Sequence, residues 1–212
     1  MRQINKLISN NINEKSGKFA LIIGSSPSKG ARSPSLWNKA YKHFKIKSKM
    51  FPADINKKNL EKLCNHLKKN KNFLGSSVTI PHKEIIINYL DKIDINAKNI
   101  GSVNTFVKIK NKLVGYNTDY YGSLFSLKKC KLKKSKNKIL VLGCGGAGKA
   151  CIASVINYFN NSEIIFFNRN QKKLKFFLKN FKNKNKNKLK QINKYVQIKK
   201  YKNINLILNT TS

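Results

Sequence analysis

The sequence predicts an α/β fold of two domains with largely parallel sheets, and three observations support it. Short apolar strands alternate with helical segments along most of the chain. The 212 residues, 40% of them apolar, can bury one sizeable core or two small ones. A glycine-rich turn at residues 143–148 stands between a strand-like and a helix-like segment. We therefore expect residues 1–116 to form a first domain and residues 117–212 a second.

The elements of the first domain follow from apolar runs and from the turn residues between them. Residues 18–24 (KFALIIG) predict a buried strand, and the loop after it is rich in Ser, Pro and Gly. Pro34 suits the first turn of the helix that follows. The predicted elements are strands at residues 18–24, 48–55 and 73–81, helices at residues 33–44, 56–72 and 82–94, and a hairpin within residues 100–119 that turns near Lys110 and Asn111.

The second domain continues the alternation of strands and helices. A lysine-rich shift in composition at residues 128–138 marks a junction, and the helix before it can belong to either half. The run at residues 180–194 (NFKNKNKNKLKQINK) is the one local stretch that could favour a polyanion site, and its simpler interpretation is a solvated, mobile insert. The sequence leaves open whether this run is ordered. The predicted elements are helices at residues 120–132 and 147–159 and strands at residues 137–143 and 163–170.

The net charge of +37 raises the question of a nucleic-acid or anionic-surface partner. Only Arg2, Arg32 and Arg169 are arginines, although base reading and bidentate phosphate contacts favour arginine. The excess lysine is spread along the whole chain together with Asn and Ile, as an A+T-rich coding sequence would produce. We therefore expect no specific nucleic-acid partner.

Cysteine usage and hydropathy predict a cytoplasmic protein. The four cysteines are irregularly spaced, without a Cys-x-x-Cys pair, and are interpreted as reduced thiols. The three histidines make no metal-ligand pattern, so no metal is expected. No stretch approaches the roughly 18 consecutive apolar residues of a membrane helix, so no membrane association is expected either. The sequence leaves open whether the protein is a monomer or a homodimer.

The glycine-rich turn predicts a dinucleotide site. Gly143, Gly145 and Gly148 stand in a G-x-G-x-x-G frame after the strand-like KILVLG and before the helix-like AGKACIASVINYF. In such a unit the first glycine makes the turn, the second lets the backbone approach the pyrophosphate, and the third allows close packing of helix on strand. Gly146 and Ala147 complete the loop that would face the phosphates from the helix N-terminus.

The next strand favours NADP over NAD. An NAD site usually places an acid about 20 residues after the glycines to bind the ribose 2′-hydroxyl. Here the strand EIIFFNRN ends in Asn168 and Arg169, with Lys172 and Lys173 close by. A guanidinium and neighbouring ammonium groups suit a 2′-phosphate.

Six ordered stretches together resemble the shikimate dehydrogenase family, and they cover the chain from about Lys18 to its end. They are SVTIPHK at residues 77–83, IGSVNT at 100–105, GYNTDYYG at 115–122, LGCGGAGKA at 142–150, NRN at 168–170 and LNTTS at 208–212. The resemblance implies an N-terminal substrate-binding domain, a Rossmann-type NADP domain, and a site in the cleft between them. It implies reversible reduction of 3-dehydroshikimate to shikimate on the way to aromatic amino acids.

The resemblance also implies roles for single residues. Lys83 would be the catalytic acid/base and Asp119 its partner, while Thr79, Asn104 and Asp119 would bind substrate hydroxyls and Ser33 the carboxylate. The chemistry agrees, because reduction of a ketone needs a proton donor within hydrogen-bond reach of its oxygen. A lysine can serve if it is partly desolvated and held by a carboxylate. Asn104 could otherwise be a plain turn former.

The chain departs from the family at two places. The carboxylate loop has GARSP where the family has His-Ser-x-Ser-Pro, so Ala31 stands in place of one serine and Gly30 in place of the histidine. Ser26, Ser28 or Arg32 could compensate, and quinate or another ring carboxylate stays open as substrate. The family continues for roughly 60 residues beyond the strand that LILNTTS resembles. We therefore expect a fragment, a frameshifted product or a decaying gene, with "NINLILN" as an unpaired sheet edge.

Two alternatives remain at this stage. One is a quinate/shikimate dehydrogenase of broader specificity, which turnover of quinate against shikimate would reveal. The other is a non-catalytic relic that binds cofactor or a polyanion through its positive charge. Nucleic-acid binding that persists at moderately high salt would favour the second, because nonspecific lysine contacts weaken steeply as salt rises.

Overall fold

The computed structural model describes residues 1–13, 17–181 and 184–211. The chain divides into two compact units, Met1–Asn117 and Thr118–Ser212. Each unit is described by itself. Within the described residues, no helix is long and apolar enough to cross a lipid bilayer.

A six-stranded mixed sheet forms the centre of the first unit. Its strands are β1 (Lys18–Gly24), β2 (Ser48–Asp54), β3 (Phe73–Val78), β4 (Lys92–Ile93), β5 (Thr105–Ile109) and β6 (Lys112–Tyr116). They lie in the order β2-β1-β3-β5-β6-β4. β1 pairs in parallel with β2 and β3, whereas β5 runs antiparallel to both β3 and β6. The C-terminal ends of β1, β2 and β3 therefore meet at one edge of the sheet.

Helices of the first unit carry the apolar spacing that the sequence shows. They are α1 (Arg2–Asn5), α2 (Ser33–His43), α3 (Leu60–Lys69) and α4 (Ile95–Ile100). The four apolar residues of α3 that recur at helical spacing in the sequence are all buried in the core: Leu60, Leu63, Cys64 and Leu67. The hairpin is confirmed as well. Lys110 and Asn111 both have positive φ, 45° and 59°, which is the backbone of a tight two-residue turn between β5 and β6.

The helix predicted at residues 82–94 is wrong. The structure has a short 3-10 helix at Ile85–Tyr89, followed by β4. The segment around β4 pairs with β6. The amide of Asp91 donates to the carbonyl of Leu113, and the amide of Asp94 donates to the carbonyl of Gly115. Three consecutive isoleucines have modest helix propensity, and pairing with the sheet outweighs it here.

A four-stranded parallel sheet forms the centre of the second unit. Its strands are β7 (Lys138–Leu142), β8 (Glu163–Phe167), β9 (Lys188–Gln191) and β10 (Leu206–Asn209), and its helices are α5 (Thr118–Lys129), α6 (Gly146–Tyr158) and α7 (Gln171–Leu178). The strands lie in the order β10-β7-β8-β9, which is the doubly wound arrangement of a Rossmann-type half. The α/β class that the sequence predicted is confirmed.

β9 lies inside the lysine-rich run that was interpreted as a solvated, mobile insert, and that interpretation is wrong for residues 188–191. β9 pairs with β8 along four residues, and the Lys190 ammonium group forms an ion pair with Glu163. Residues 182–183 of the run lie outside the described residues. Within the described residues the unit therefore has four strands, where the sequence predicted two strands and the sheet edge at residues 203–209.

β10 lies at one edge of this sheet. Within the described residues it pairs with β7 alone, and Ile207 is 58% exposed. This matches the apolar edge expected at residues 203–209. Ser212, the last residue of the LNTTS motif, lies outside the described residues.

Candidate functional site

Three of the predicted site residues, the catalytic Lys83 and the substrate-binding Thr79 and Asn104, lie on neighbouring backbone segments of the first unit. Thr79 and Lys83 follow β3, and Asn104 directly precedes β5. The amide of Val78 donates to the carbonyl of Asn104 at 2.7 Å, and the amide of Val103 donates to the carbonyl of Lys83 at 2.7 Å. These two hydrogen bonds hold the segments that carry Thr79, Lys83 and Asn104 against one another.

Thr79 is held against the end of β1. Its amide donates to the carbonyl of Ile23 at 2.8 Å. A Cβ atom at Gly24 would lie 2.4 Å from the Thr79 methyl group, a distance that no real side chain tolerates. Gly24 is therefore required for Thr79 to approach β1 this closely.

His82 anchors the residue next to Lys83. Its side chain is 2% exposed, and Nε2 lies 2.9 Å from the carbonyl oxygen of Ile55. The His82 amide also donates to the carbonyl of Thr79. The backbone that carries Lys83 is thus fixed by a buried side chain on one side and by Val103 on the other.

The loop after β1 is held by a buried carboxylate. Asp54, at the end of β2, is 7% exposed and accepts hydrogen bonds from both the amide and the hydroxyl of Ser28. A cavity of about 360 Å³ opens beside this loop, with Ser26, Lys29 and Thr79 among its lining residues. Ser33 starts α2 after the loop and is half-buried.

In the second unit the glycine loop has one open and two crowded positions. A Cβ atom at Gly143, where φ is +96°, or at Gly148 would lie 2.7 Å from the Thr210 hydroxyl oxygen. A Cβ atom at Gly145 would meet nothing within 4 Å. The first and third glycines are thus needed for packing, while the second leaves the backbone open to a ligand. This pattern fits a dinucleotide pyrophosphate.

The helix that begins at this loop points its N-terminus at the same open space. Gly146, Ala147 and Gly148 form the first turn of α6, whose leading amides have no partner within the helix. Such a turn attracts anions through its amide groups and the helix dipole.

The end of β8 lies beside the glycine loop. The amide of Gly143 donates to the carbonyl of Phe167 at 2.9 Å, and the amide of Cys144 donates to Asn168 Oδ1 at 3.1 Å. Arg169 follows Asn168 and is exposed. Asn170 then caps α7, since its side chain accepts a hydrogen bond from the amide of Lys173 at 2.9 Å. The structure therefore brings Asn168 to the glycine loop, with Arg169 next to it along the chain.

Asp119 lies in the first turn of α5 and is half-buried. α5 packs on α6, where the hydroxyl groups of Ser123 and Ser154 lie 2.7 Å apart. The amide group of Asn157 donates to the Tyr120 hydroxyl at 3.2 Å, next to Asp119 along the chain. The start of α5 is thus fixed within the second unit.

The described residues contain no group of three or more His, Cys, Asp and Glu side chains that could hold a metal ion. The Cys64 thiol lies in the apolar core, and burial raises its pKa to about 12.

Comparisons with known proteins agree with this geometry. A family model described as the shikimate dehydrogenase substrate binding domain matches residues 22–106. A crystal structure of shikimate dehydrogenase from Aquifex aeolicus superimposes with a TM-score of 0.79 at 32% identity, covering 95% of this chain and 71% of that chain. This chain belongs to the shikimate dehydrogenase family.

Curated shikimate dehydrogenases (NADP(+)) show the same relationship in sequence. The enzyme of Carboxydothermus hydrogenoformans is 37% identical over 77% of this chain and 57% of its own length. The enzyme of Methanosphaera stadtmanae is 36% identical over 90% of this chain and 66% of its own length. The chain thus spans less than two thirds of the length of these family members.

Two residues that hold the site together were given no role from the sequence. Thr210 lies in a recognised shikimate dehydrogenase motif, and its amide and hydroxyl both donate to the carbonyl of Leu142 at 2.8 Å. Thr210 reaches the glycine loop because it bonds to Leu142 at the end of β7, which lies 68 residues earlier in the sequence. Asp54 was likewise missed, although its position after an apolar strand in a chain with eight acids was a usable signal.

Proposed function

We propose that this chain is the substrate- and cofactor-binding part of an NADP-dependent shikimate dehydrogenase. The reaction is the reversible reduction of 3-dehydroshikimate to shikimate, in the biosynthesis of aromatic amino acids. The observation that carries the proposal is the pair of backbone hydrogen bonds that gathers Thr79, Lys83 and Asn104 in the first unit. Family membership and the names of the curated relatives supply the substrate and the cofactor.

The proposal divides the work between residues 1–116, which bind substrate, and residues 117–212, which bind NADP. The match of residues 22–106 to a substrate-binding domain supports the first assignment. The open Gly145 and the crowded Gly143 and Gly148 support the second. Arg169 and Lys173 would bind the 2′-phosphate, because they follow Asn168, which contacts the glycine loop, and no acid stands at the end of β8.

Lys83 acts as the acid and base of this reaction. When bound, NADPH supplies the hydride that reduces the ketone. Negative charge then grows on the ketone oxygen, and the Lys83 ammonium group donates a proton to it. In the reverse direction the neutral amine accepts the proton of the shikimate hydroxyl. The anchored His82 and the Val103 hydrogen bond keep the Lys83 backbone fixed while its side chain reacts.

The remaining roles concern substrate binding. Thr79 and Asn104 bind ring hydroxyls, since both lie next to Lys83 in the first unit. Ser33 binds the carboxylate from the start of α2. The family resemblance assigns Asp119, in the second unit, to a substrate hydroxyl and to the role of partner of Lys83.

We propose a cytoplasmic enzyme, either monomer or homodimer, with a small-molecule substrate and no specific nucleic-acid partner. Cys64 and Cys130 form no disulfide, which suits a reducing compartment. The dispersed lysines on both units support the absence of a selected polyanion site.

The test is an absorbance assay of shikimate-dependent NADP⁺ reduction. The 212-residue chain is compared with a version extended to the length of its relatives, in the presence of shikimate or quinate. Turnover of shikimate with NADP⁺ by the extended version supports the proposal. An extended version that binds NADPH but turns over neither acid would contradict it.

A further inference from the structure

The cavity in the first unit has a polar lining built from two segments. The loop after β1 contributes Ser25, Ser26, Lys29 and Ala31, and the segment after β3 contributes Thr79. Its volume of about 360 Å³ lies within the range of small-molecule sites. All of these residues belong to the first unit.

A ring carboxylate entering this cavity is stabilised by a cation that pairs with its charge, because hydrogen bonds between charged groups are stronger than neutral ones. Among the described residues that line the cavity, Lys29 alone is cationic. We infer that Lys29 binds the carboxylate of the substrate, in place of the hydroxyl missing at Ala31. This inference rests on the proposed shikimate dehydrogenase function.

Ser28 cannot supply the missing hydroxyl. Its single hydroxyl proton is donated to Asp54, and its amide donates to the other oxygen of the same carboxylate at 2.8 Å. A substrate anion near Ser28 would also meet the negative charge of Asp54. Arg32 lies just before α2 and is exposed.

The backbone around Lys29 is fixed, while its side chain is exposed. Lys29 ends a 3-10 turn, Pro27–Lys29, and its amide donates to the carbonyl of Ser26 at 3.1 Å. The amide of Ala31 donates to the carbonyl of Pro27, which is buried. Together with the Asp54 hydrogen bonds, these contacts present Lys29 from a defined position, which lowers the entropy lost when it binds an anion.

The test compares an acid with its neutral ester. Shikimate and methyl shikimate are titrated into the 212-residue chain by calorimetry, using wild type, Lys29→Met, Lys29→Arg and the matched control Arg32→Met. We expect Lys29→Met to weaken shikimate binding by about tenfold, the loss typical of one charge-assisted hydrogen bond. Its affinity for the ester should change less than about twofold. Lys29→Arg should retain most of the affinity, and Arg32→Met should leave both ligands unaffected.

The outcomes separate this inference from the function on which it rests. Shikimate binding that is unchanged in Lys29→Met, or acid and ester binding that fall equally, overturns the role of Lys29 and leaves the proposed function intact. If Arg32→Met weakens binding of shikimate but not of methyl shikimate, then Arg32 binds the carboxylate and the inference is overturned. Wild type that binds neither ligand, while circular dichroism shows a folded chain, overturns the proposed function itself.

Discussion

The Asp54 carboxylate accepts two hydrogen bonds from Ser28, which lies 26 residues earlier in the sequence. The Ser28 amide donates one of them and the Ser28 hydroxyl donates the other. The amide of Asp54 is itself held by Asn10 Oδ1 at 2.7 Å, and its carbonyl accepts from Ser9. The end of β2 therefore connects the N-terminal segment with the loop that lines the cavity. Few buried acids occur in proteins without such partners.

Replacing Asp54 by asparagine should destabilise the first unit and loosen the loop. Asn offers one acceptor where the carboxylate offers two, so one Ser28 donor loses its partner. We expect the free energy of unfolding to fall by about 1–3 kcal/mol, measured by urea denaturation. Glu61→Gln, at an exposed site on α3, is the control and should change stability by less than about 0.5 kcal/mol. Equal stability of Asp54→Asn and wild type would contradict the role given to this carboxylate.

The glycine loop yields a matched pair of substitutions. Gly148→Ala places a methyl group 2.7 Å from the Thr210 hydroxyl, so it should cost about 1–3 kcal/mol of stability. Gly145→Ala meets no atom within 4 Å and keeps a favourable φ of −75°, so its stability should stay near that of wild type. NADPH binding, followed by the fluorescence of the bound cofactor, should nevertheless fall at least tenfold in Gly145→Ala. If Gly145→Ala binds NADPH as tightly as wild type does, the pyrophosphate does not bind at Gly145.

The regular elements could be predicted because their signals are local. Leu60, Leu63, Cys64 and Leu67 recur at helical spacing, and all four are buried in one face of α3. The glycine frame likewise marks the strand-to-helix turn before α6 within ten residues. In both cases the residues that the local sequence pattern singles out are also the residues that the tertiary structure needs at those positions.

The errors occur where pairing with a distant strand decides the outcome. Residues 188–191 include two lysines, so their sequence does not indicate a strand. They form one because they pair with β8, where Lys190 also forms an ion pair with Glu163. The run at residues 85–87 is apolar in any conformation, so its period cannot distinguish a helix from the observed turn. The Asp54–Ser28 and Gly148–Thr210 contacts were unpredictable for the same reason.

Lys83→Ala should lower kcat by about 10²–10⁴ in the extended protein, the usual contribution of a general acid. Its affinity for NADPH should remain within about twofold of wild type, because Lys83 lies in the other unit from the glycine loop. Lys98→Ala, an exposed lysine on α4, is the control. A Lys83→Ala enzyme with kcat within about twofold of wild type would remove Lys83 from the mechanism.

Asp119 is tested through its coupling to Lys83. If the Asp119 carboxylate holds the ammonium group, Asp119→Asn should lower kcat, and the double variant should lose little more than Lys83→Ala alone. Losses that add in the double variant would show that the two residues act independently.

Arg169→Ala should weaken NADPH binding by about tenfold or more and leave NADH binding nearly unchanged. The guanidinium contacts only the 2′-phosphate in this proposal, and NADH lacks that group. Lys175→Ala, an exposed lysine on α7, should affect neither cofactor. Equal weakening of both cofactors by Arg169→Ala would show that Arg169 does not bind a 2′-phosphate.

The Glu163–Lys190 pair should make the second unit sensitive to acid. The hydrogen bond from Lys190 lowers the pKa of the Glu163 carboxyl, with Lys138 and Lys188 adding to the effect and burial opposing it. A carboxyl whose pKa is lower in the folded state stabilises the fold above its unfolded pKa, near 4.3, and loses that contribution as pH falls through the folded value. Glu163→Gln should therefore be less stable than wild type at neutral pH, by up to about 1 kcal/mol.

This difference should close as pH falls below about 4, because protonated Glu163 then resembles glutamine. Urea denaturation of both proteins, followed by circular dichroism across this range, measures it. Glu61→Gln, at an exposed site on α3, is measured alongside as the control substitution. The difference in unfolding free energy between Glu163→Gln and wild type could instead stay constant with pH. That result would mean that the substitution disturbs packing between β8 and β9. The charge of Glu163 would then not stabilise the lysine-rich strand.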